Sequence, residues 1–271
     1  MRPNNPSEDE RFAFGANWQR FLRLVDERRI AAAAASLREM LGRDDLRGRR
    51  FLDVGCGSGL FGLAALRMGA EVRSFDYDPQ SVACAVELRQ RFAHDEPRWV
   101  VERGSALDAE YLRGLGRYDV VYAWGVLHHT GDMRQAMENV LLPLAAGGRL
   151  ALSLYNDQGW RSRYWTRVKR AYQRGQLARA AIVGLHAPLL LAPRFAARLA
   201  TGRLKLERGM SLWHDAIDWL GGYPFEVARP AEVAEFYAAR GLRLERETLC
   251  GRRLGCNEFV FRRPPDGGWN H

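Results

Sequence analysis

The chain has 271 residues, enough for one large α/β domain with an added subdomain. Apolar residues make up 47% and charged residues 27%, the balance of a globular protein that buries a core. The net charge of +9 is unevenly placed: twelve basic residues stand between Asp157 and Arg208 against two acids, and the remainder is close to neutral. Met1 to Arg11 has no basic segment leading into an apolar run, and the longest apolar stretch, Ala180 to Ala192, is interrupted by Gly184, His186 and Pro188. Neither a secretory leader nor a membrane span is expected. Cys56, Cys84, Cys250 and Cys256 form no C-x-x-C pair, so no metal site is expected, and reduced thiols in the cytoplasm are the simplest reading. A Cys250–Cys256 disulfide is the alternative.

In chain order, Phe12 to Leu41 reads as mainly helical, with Phe21, Leu22, Leu24, Val25 and Ile30 on a buried face. From Arg49 strands and helices alternate. Phe51–Val54 is the first strand, Leu60–Met68 a helix, and Glu71–Phe75 the second strand. Asp78-Pro79 is an N-cap followed by proline at the first helical position, opening a helix to about Phe92. Trp99–Val101, Tyr118–Ala123 and Arg149–Leu154 are further strands, with helices over Ala109–Leu115, capped by Asp108, and Met133–Leu144. This rhythm predicts a doubly wound, mostly parallel seven-stranded sheet, completed by the helix Ala231–Arg240 and the strands Leu242–Leu249 and Asn257–Arg262.

The division that follows is a helical cap over residues 1–48, a core over 49–156 and 223–263, a basic helical insertion over 157–222, and a disordered tail over 264–271.

Leu52-Asp53-Val54-Gly55-Cys56-Gly57-Ser58-Gly59 ends a strand and opens a helix. Glycines there let the backbone turn sharply and approach a ligand. The dinucleotide pattern G-x-G-x-x-G is not met, because Leu60 occupies its last position, and this disfavours a nicotinamide or flavin. Asp76, followed by Tyr77, ends the second strand about 20 residues beyond the loop, where a carboxylate can accept both hydroxyls of a ribose.

These residues resemble the class I S-adenosylmethionine-dependent methyltransferases. The resemblance makes Asp53, Gly55, Cys56, Gly57 and Gly59 the first cofactor motif and Asp76 the ribose acid. It lays Gly104-Ser105-Ala106-Leu107-Asp108 along the adenine. Ser105 stands where many members carry Asp, with Asp108 as the nearest acid. Tyr118 to His129 resembles the motif after the fourth strand in the small-molecule and ubiquinone-biosynthesis branch, and the resemblance puts Trp124, like Tyr77, among the cofactor-binding residues. The implied cofactor is S-adenosylmethionine and the implied reaction is methyl transfer to a small hydroxyl, phenol or quinol.

Such a transfer is an in-line displacement, aided by a base that takes the acceptor's proton. His128 and His129, at the C-terminal edge of the sheet, and His214, with Asp215 and Asp218 beside it, are the candidate bases. Each is also consistent with plain packing. Phe12–Trp18 and Gly221–Glu226 combine aromatics with glycine and read as lid material. The basic insertion leaves three partners open: a small-molecule acceptor under a substrate cap, RNA held by phosphate contacts with Trp160, Tyr164 or Trp165 stacking, or peripheral contact with an anionic membrane. The RNA reading makes the chain a tRNA- or RNA-modifying methyltransferase, the alternative function. The oligomeric state is not specified. A non-catalytic scaffold is disfavoured because the glycine loop and Asp76 are intact.

Overall fold

The structure is a computed structural model and describes residues 15–201, 219–251 and 255–265. One seven-stranded sheet runs through it in the order β3-β2-β1-β4-β5-β7-β6. Its strands are β1 (Arg50–Val54), β2 (Glu71–Asp76), β3 (Trp99–Arg103), β4 (Tyr118–Trp124), β5 (Leu144–Tyr155), β6 (Arg243–Thr248) and β7 (Cys256–Arg262). The first five are parallel, and β7 joins antiparallel between β5 and β6. Apolar runs such as Phe51–Val54 and Val120–Ala123 are buried on both faces, as a parallel sheet covered by helices requires.

Among the described residues the α-helices are α1 (Gly15–Leu22), α2 (Glu27–Leu41), α3 (Leu60–Arg67), α4 (Pro79–Phe92), α5 (Ala109–Gly114), α6 (Met133–Asn139), α7 (Trp160–Tyr172), α8 (Gln176–Thr201) and α9 (Pro230–Ala238). On one face Leu37 of α2, Leu63 of α3 and Leu88 of α4 pack with Phe51, Val72 and Val120. On the other, Leu112 of α5, Met137 of α6 and Val233 of α9 pack with Leu52, Val121 and Phe261. The chain winds outward through β2 and β3, then returns to add β4 beside β1. The switch point therefore lies between the ends of β1 and β4, where such sheets bind ligands.

Two local expectations need correction. The helical reading of Phe12 to Leu41 is broken, within the described residues, between Leu22 and Glu27, where Asp26 caps α2 by accepting from the Arg29 N–H. The helix expected over Met133–Leu144 stops at Asn139. Pro143 cannot continue it, and its carbonyl instead accepts from the Tyr118 N–H, so Leu144 already belongs to β5.

Between β5 and α9, α7 and α8 build a small core of Val168, Tyr172 and Leu220 with Trp165 and Trp219 against it. Lys169 is fully buried there: its Nζ donates to the Trp219 carbonyl and lies over the Trp219 and Phe225 rings at 4.4 and 4.7 Å. Among the described residues no helix is long and apolar enough to cross a membrane. The four cysteines form no disulfide, so the alternative Cys250–Cys256 pairing is not made.

Candidate active site

A cavity of about 620 Å³ opens at the switch point. Its first end is built by short loops after the parallel strands. Gly55 and Gly57 form part of the wall at φ +64° and +53°, a backbone region that side-chain-bearing residues avoid. A Cβ on Gly55 would lie 2.4 Å from the Val126 side chain, and one on Gly57 would lie 2.8 Å from the Trp18 ring. The loop therefore lets Val126 and Trp18 pack directly on bare backbone. Asp76 faces the same space from the end of β2. Its Oδ2 accepts from the Gly57 N–H and its Oδ1 from the Asp78 N–H, both at 2.9 Å. These bonds fix the carboxylate and leave lone pairs toward the cavity. Tyr77, Gly104, Ser105, Ala106 and Leu107 complete this end.

Burial holds the Asp76 carboxyl up at about 6, the backbone N–H bonds from Asp78, Gly57 and Tyr77 working in the opposite direction. Asp53 sits deeper, behind the wall, and burial reinforced by the Asp76 charge raises it to about 7. It accepts from Ser74 Oγ at 3.4 Å and from the backbone of Gly62 in the first turn of α3, while Ser74 Oγ accepts from Trp99 Nε1 at 2.9 Å. Asp53 thus fastens β1 to the start of α3 rather than facing the cavity. Gly59 has a packing role as well, since a Cβ there would come within 2.8 Å of Ala85 in α4. Cys56, whose N–H bonds the Phe75 carbonyl, is outside the wall too.

The other end is assembled from distant parts of the chain. Trp124, Gly125 and Val126 lead from β4 into a tight turn carrying His128 and His129. Tyr155 closes β5 and lies opposite Cys256, the first residue of β7. Tyr223 and Pro224 arrive just ahead of α9. The His128 ring lies 4.1 Å from that of Tyr155 and 4.5 Å from that of His129, and Tyr155 also packs on Phe225 at 4.8 Å. His129 Nδ1 bonds the Pro224 carbonyl at 2.6 Å, which puts the proton on Nδ1 and the lone pair on Nε2. His128 is held by a bond to the Ser153 backbone, while its Nδ1 has no protein partner.

Burial keeps both rings neutral: His129 falls to about 3, and His128 goes well below the usual histidine range, with His129 and Lys169 adding to the effect. A neutral histidine with an unpartnered buried nitrogen on a cavity wall is equipped to receive a hydroxyl proton.

Comparison with known proteins agrees with this geometry. Residues 52–150 match the family model described as a methyltransferase domain. Over 114 residues the chain is 34% identical to a ubiquinone biosynthesis O-methyltransferase of Xanthomonas oryzae, covering 42% of this chain and 46% of that protein. A mitochondrial ubiquinone biosynthesis O-methyltransferase of Schizosaccharomyces pombe is 29% identical over 141 residues, covering 49% and 47%. The chain thus spans about half the length of these relatives. Among solved structures, magnesium protoporphyrin IX methyltransferase of Synechocystis with bound S-adenosylhomocysteine aligns over 90% of this chain and 86% of its own, with a TM-score of 0.52 and 16% identity. A putative O-methyltransferase of Nostoc punctiforme aligns over 91% and 60%, with a TM-score of 0.53 and 15% identity. Residues 52–150 thus match a methyltransferase domain, set in a fold shared with these solved methyltransferases.

Within the methyltransferase domain, the structure brings Gly55, Gly57, Asp76, Tyr77, Ser105, Ala106, Trp124, His128 and His129 to one cavity. Asp53, Cys56 and Gly59 stand behind it. His214, with Asp215 and Asp218, lies outside the described residues, as do Phe12–Phe14 of the expected lid and residues 266–271 of the expected tail. Among the parts of the cavity that sequence reasoning missed are Tyr155, Cys256 and the orphan nitrogen of His128. The first two come together only through β5–β7 pairing, which the alternation of each strand alone does not reveal.

Proposed function

We propose that this chain is an S-adenosylmethionine-dependent O-methyltransferase acting on the hydroxyl of a small aromatic acceptor such as a phenol or quinol. The observation that carries the reading is the single cavity joining the Gly55–Gly57–Asp76 end to the His128–His129–Tyr155 end. The first end suits a nucleoside: a fixed carboxylate for ribose hydroxyls, bare glycine backbone for close approach, and Ser105, Ala106 and Leu107 as a wall for the base. When bound, the cofactor supplies an electrophilic methyl on a positively charged sulfur.

The chain's own residues do the rest. Trp124, Tyr155 and Tyr223 offer aromatic surface to a planar ring and narrow its orientations. His128 Nδ1 accepts the hydroxyl proton as the oxygen attacks. His129, pinned to the Pro224 carbonyl, keeps the stretch ahead of α9 against the acceptor end. Burial of both imidazoles keeps their lone pairs unprotonated at neutral pH, at the cost of a weak ground-state basicity. The proton therefore moves late, as the hydroxyl becomes acidic along the reaction. That the Xanthomonas and Schizosaccharomyces relatives are ubiquinone biosynthesis O-methyltransferases supports the O-methyl class. With no membrane-crossing helix among the described residues, a cytoplasmic location is the accompanying proposal.

Calorimetric titration with S-adenosylmethionine and S-adenosylhomocysteine, followed by turnover on a panel of phenols, catechols and quinols, tests the reading. Micromolar cofactor binding with methylation of at least one ring hydroxyl is expected. Failure to bind either nucleoside would overturn it.

A further inference from the structure

The surface of α7 and α8 is unlike the rest of the molecule. On α8, Leu177, Leu185 and Leu189 are 90%, 65% and 69% exposed, and Ala181 and Pro188 lie exposed between them. At this spacing they share one face of the helix. On α7, Trp160 and Tyr164 are 68% and 43% exposed, one turn apart. The Tyr164 hydroxyl meets His186 Nε2 at 2.6 Å, so the aromatic edge of α7 abuts the part of α8 that carries Leu185 and Leu189.

The same two helices and the turn between them carry Arg161, Arg163, Arg167, Arg170, Arg174 and Arg179, all exposed, and no acid occurs from residue 158 to residue 206.

Leaving three leucines and a tryptophan in water is unfavourable by the apolar area they would otherwise bury. A second copy of this chain is a poor partner, because each copy brings the same uncompensated arginines. RNA would meet the arginines but has no use for exposed leucines. An anionic bilayer satisfies both: apolar side chains enter the boundary between headgroups and acyl chains, aromatic rings settle at headgroup level, and arginine stems reach up to lipid phosphates. The same helix pair reaches the acceptor cavity, since Arg170 Nε donates to the Tyr223 hydroxyl at 3.1 Å and Tyr223 lines the wall.

We propose that α7 and α8 form a peripheral docking surface for anionic phospholipid membranes, seated through Leu177, Leu185, Leu189 and Trp160 and held by these arginines. This docking is independent of which acceptor the cavity takes.

The test is co-sedimentation of the full chain with vesicles of phosphatidylcholine alone and of phosphatidylcholine mixed equally with phosphatidylglycerol. Binding to the mixed vesicles is expected to exceed binding to the neutral ones by about tenfold or more and to weaken with salt. Leu185→Asp with Leu189→Asp should reduce it by about tenfold per leucine, and Arg161→Glu with Arg163→Glu by about fivefold per arginine. Thermal melts matching the parent would show that these surface variants fold. If the leucine pair does not fold, Leu185→Ser with Leu189→Ser replaces it.

Equal binding to both vesicle types, or leucine variants that bind like the parent, would overturn the proposal. So would bulk tRNA binding that is tighter than vesicle binding and indifferent to the leucines. Loss of a solution dimer in the leucine variants, without vesicle binding in the parent, would reassign the surface to self-association and overturn it as well.

Discussion

The two ends of the cavity are built on different principles. The nucleoside end comes from three short turns after β1, β2 and β3, and each supplies its residues within a few positions of one another. The acceptor end gathers His128 and His129 from the turn after β4, Tyr155 from the far end of β5, Tyr223 and Pro224 from the approach to α9, and Cys256 from β7. One end is fixed by local backbone geometry and the other by long-range packing. The first suits a constant ligand and the second a variable one, because a change in any contributing segment reshapes the acceptor end while leaving the glycine loop untouched.

The largest effect expected from breaking this division is at the proton acceptor. His128→Phe should lower kcat by about 100- to 10,000-fold, the usual contribution of a positioned base, with little change in cofactor affinity. His129→Phe should cost less in kcat and more in acceptor KM, because its bond positions Pro224. Steady-state kinetics on both variants decides this, and a reversed ranking would move the proton to His129.

Next in size, Asp76→Ala should weaken cofactor binding by about 1.5–3 kcal/mol, the range for hydrogen bonds to a charged group, while leaving acceptor affinity in place. Calorimetry reads this directly, and an unchanged cofactor affinity would remove Asp76 from the nucleoside end.

The pH response separates the ends again. Asp76 accepts ribose hydroxyls best as a carboxylate, so cofactor affinity should be full above about 6 and fall as the pH drops through that value. His129 is neutral until about 3 and His128 is held neutral in the same way, so neither adds an acid limb near the ordinary histidine value. A profile in which KM for the cofactor rises below about 6 while kcat holds is expected. A kcat limb near 6.5 would show that a histidine titrates normally.

The smallest effect is expected at the cover of the nucleoside end. Trp18→Ala uncovers Gly57 and should weaken cofactor retention by a few-fold, with most of the affinity kept, because the backbone bond to Asp76 remains. Stopped-flow release of a labelled nucleoside would measure it, and unchanged release would mean that Trp18 only fills space.

The sheet was legible because its signals are local. Apolar runs of strand length, Asp78-Pro79 and Asp108 as caps, and glycines after strands each act within a few residues, and the backbone answers to them wherever the chain then travels. The end of α6 was misread because an apolar pattern was allowed to run through Pro143, whose ring cannot stay in a helix. At the site, the sequence placed the glycine loop and Asp76 but could not separate contact from support. Asp53, Cys56 and Gly59 belong to the same motif as Gly55 and Gly57, yet Asp53 ties β1 to α3, Cys56 bonds the end of β2 and Gly59 makes room for Ala85 of α4, all behind the cavity wall.

The sequence by itself therefore determined the doubly wound order of elements, the class of cofactor site and the concentration of positive charge after β5. Only the tertiary structure decided which histidine nitrogen lacks a partner, that Tyr155 meets Cys256 and the two histidines, that Lys169 is buried beneath Trp219 and Phe225, and that the leucines of α8 face outward. The physical reason is the range of the forces involved. Turn, cap and pleat preferences act between neighbours in the chain, whereas burial, hydrogen-bond satisfaction and exposure depend on which distant surfaces meet.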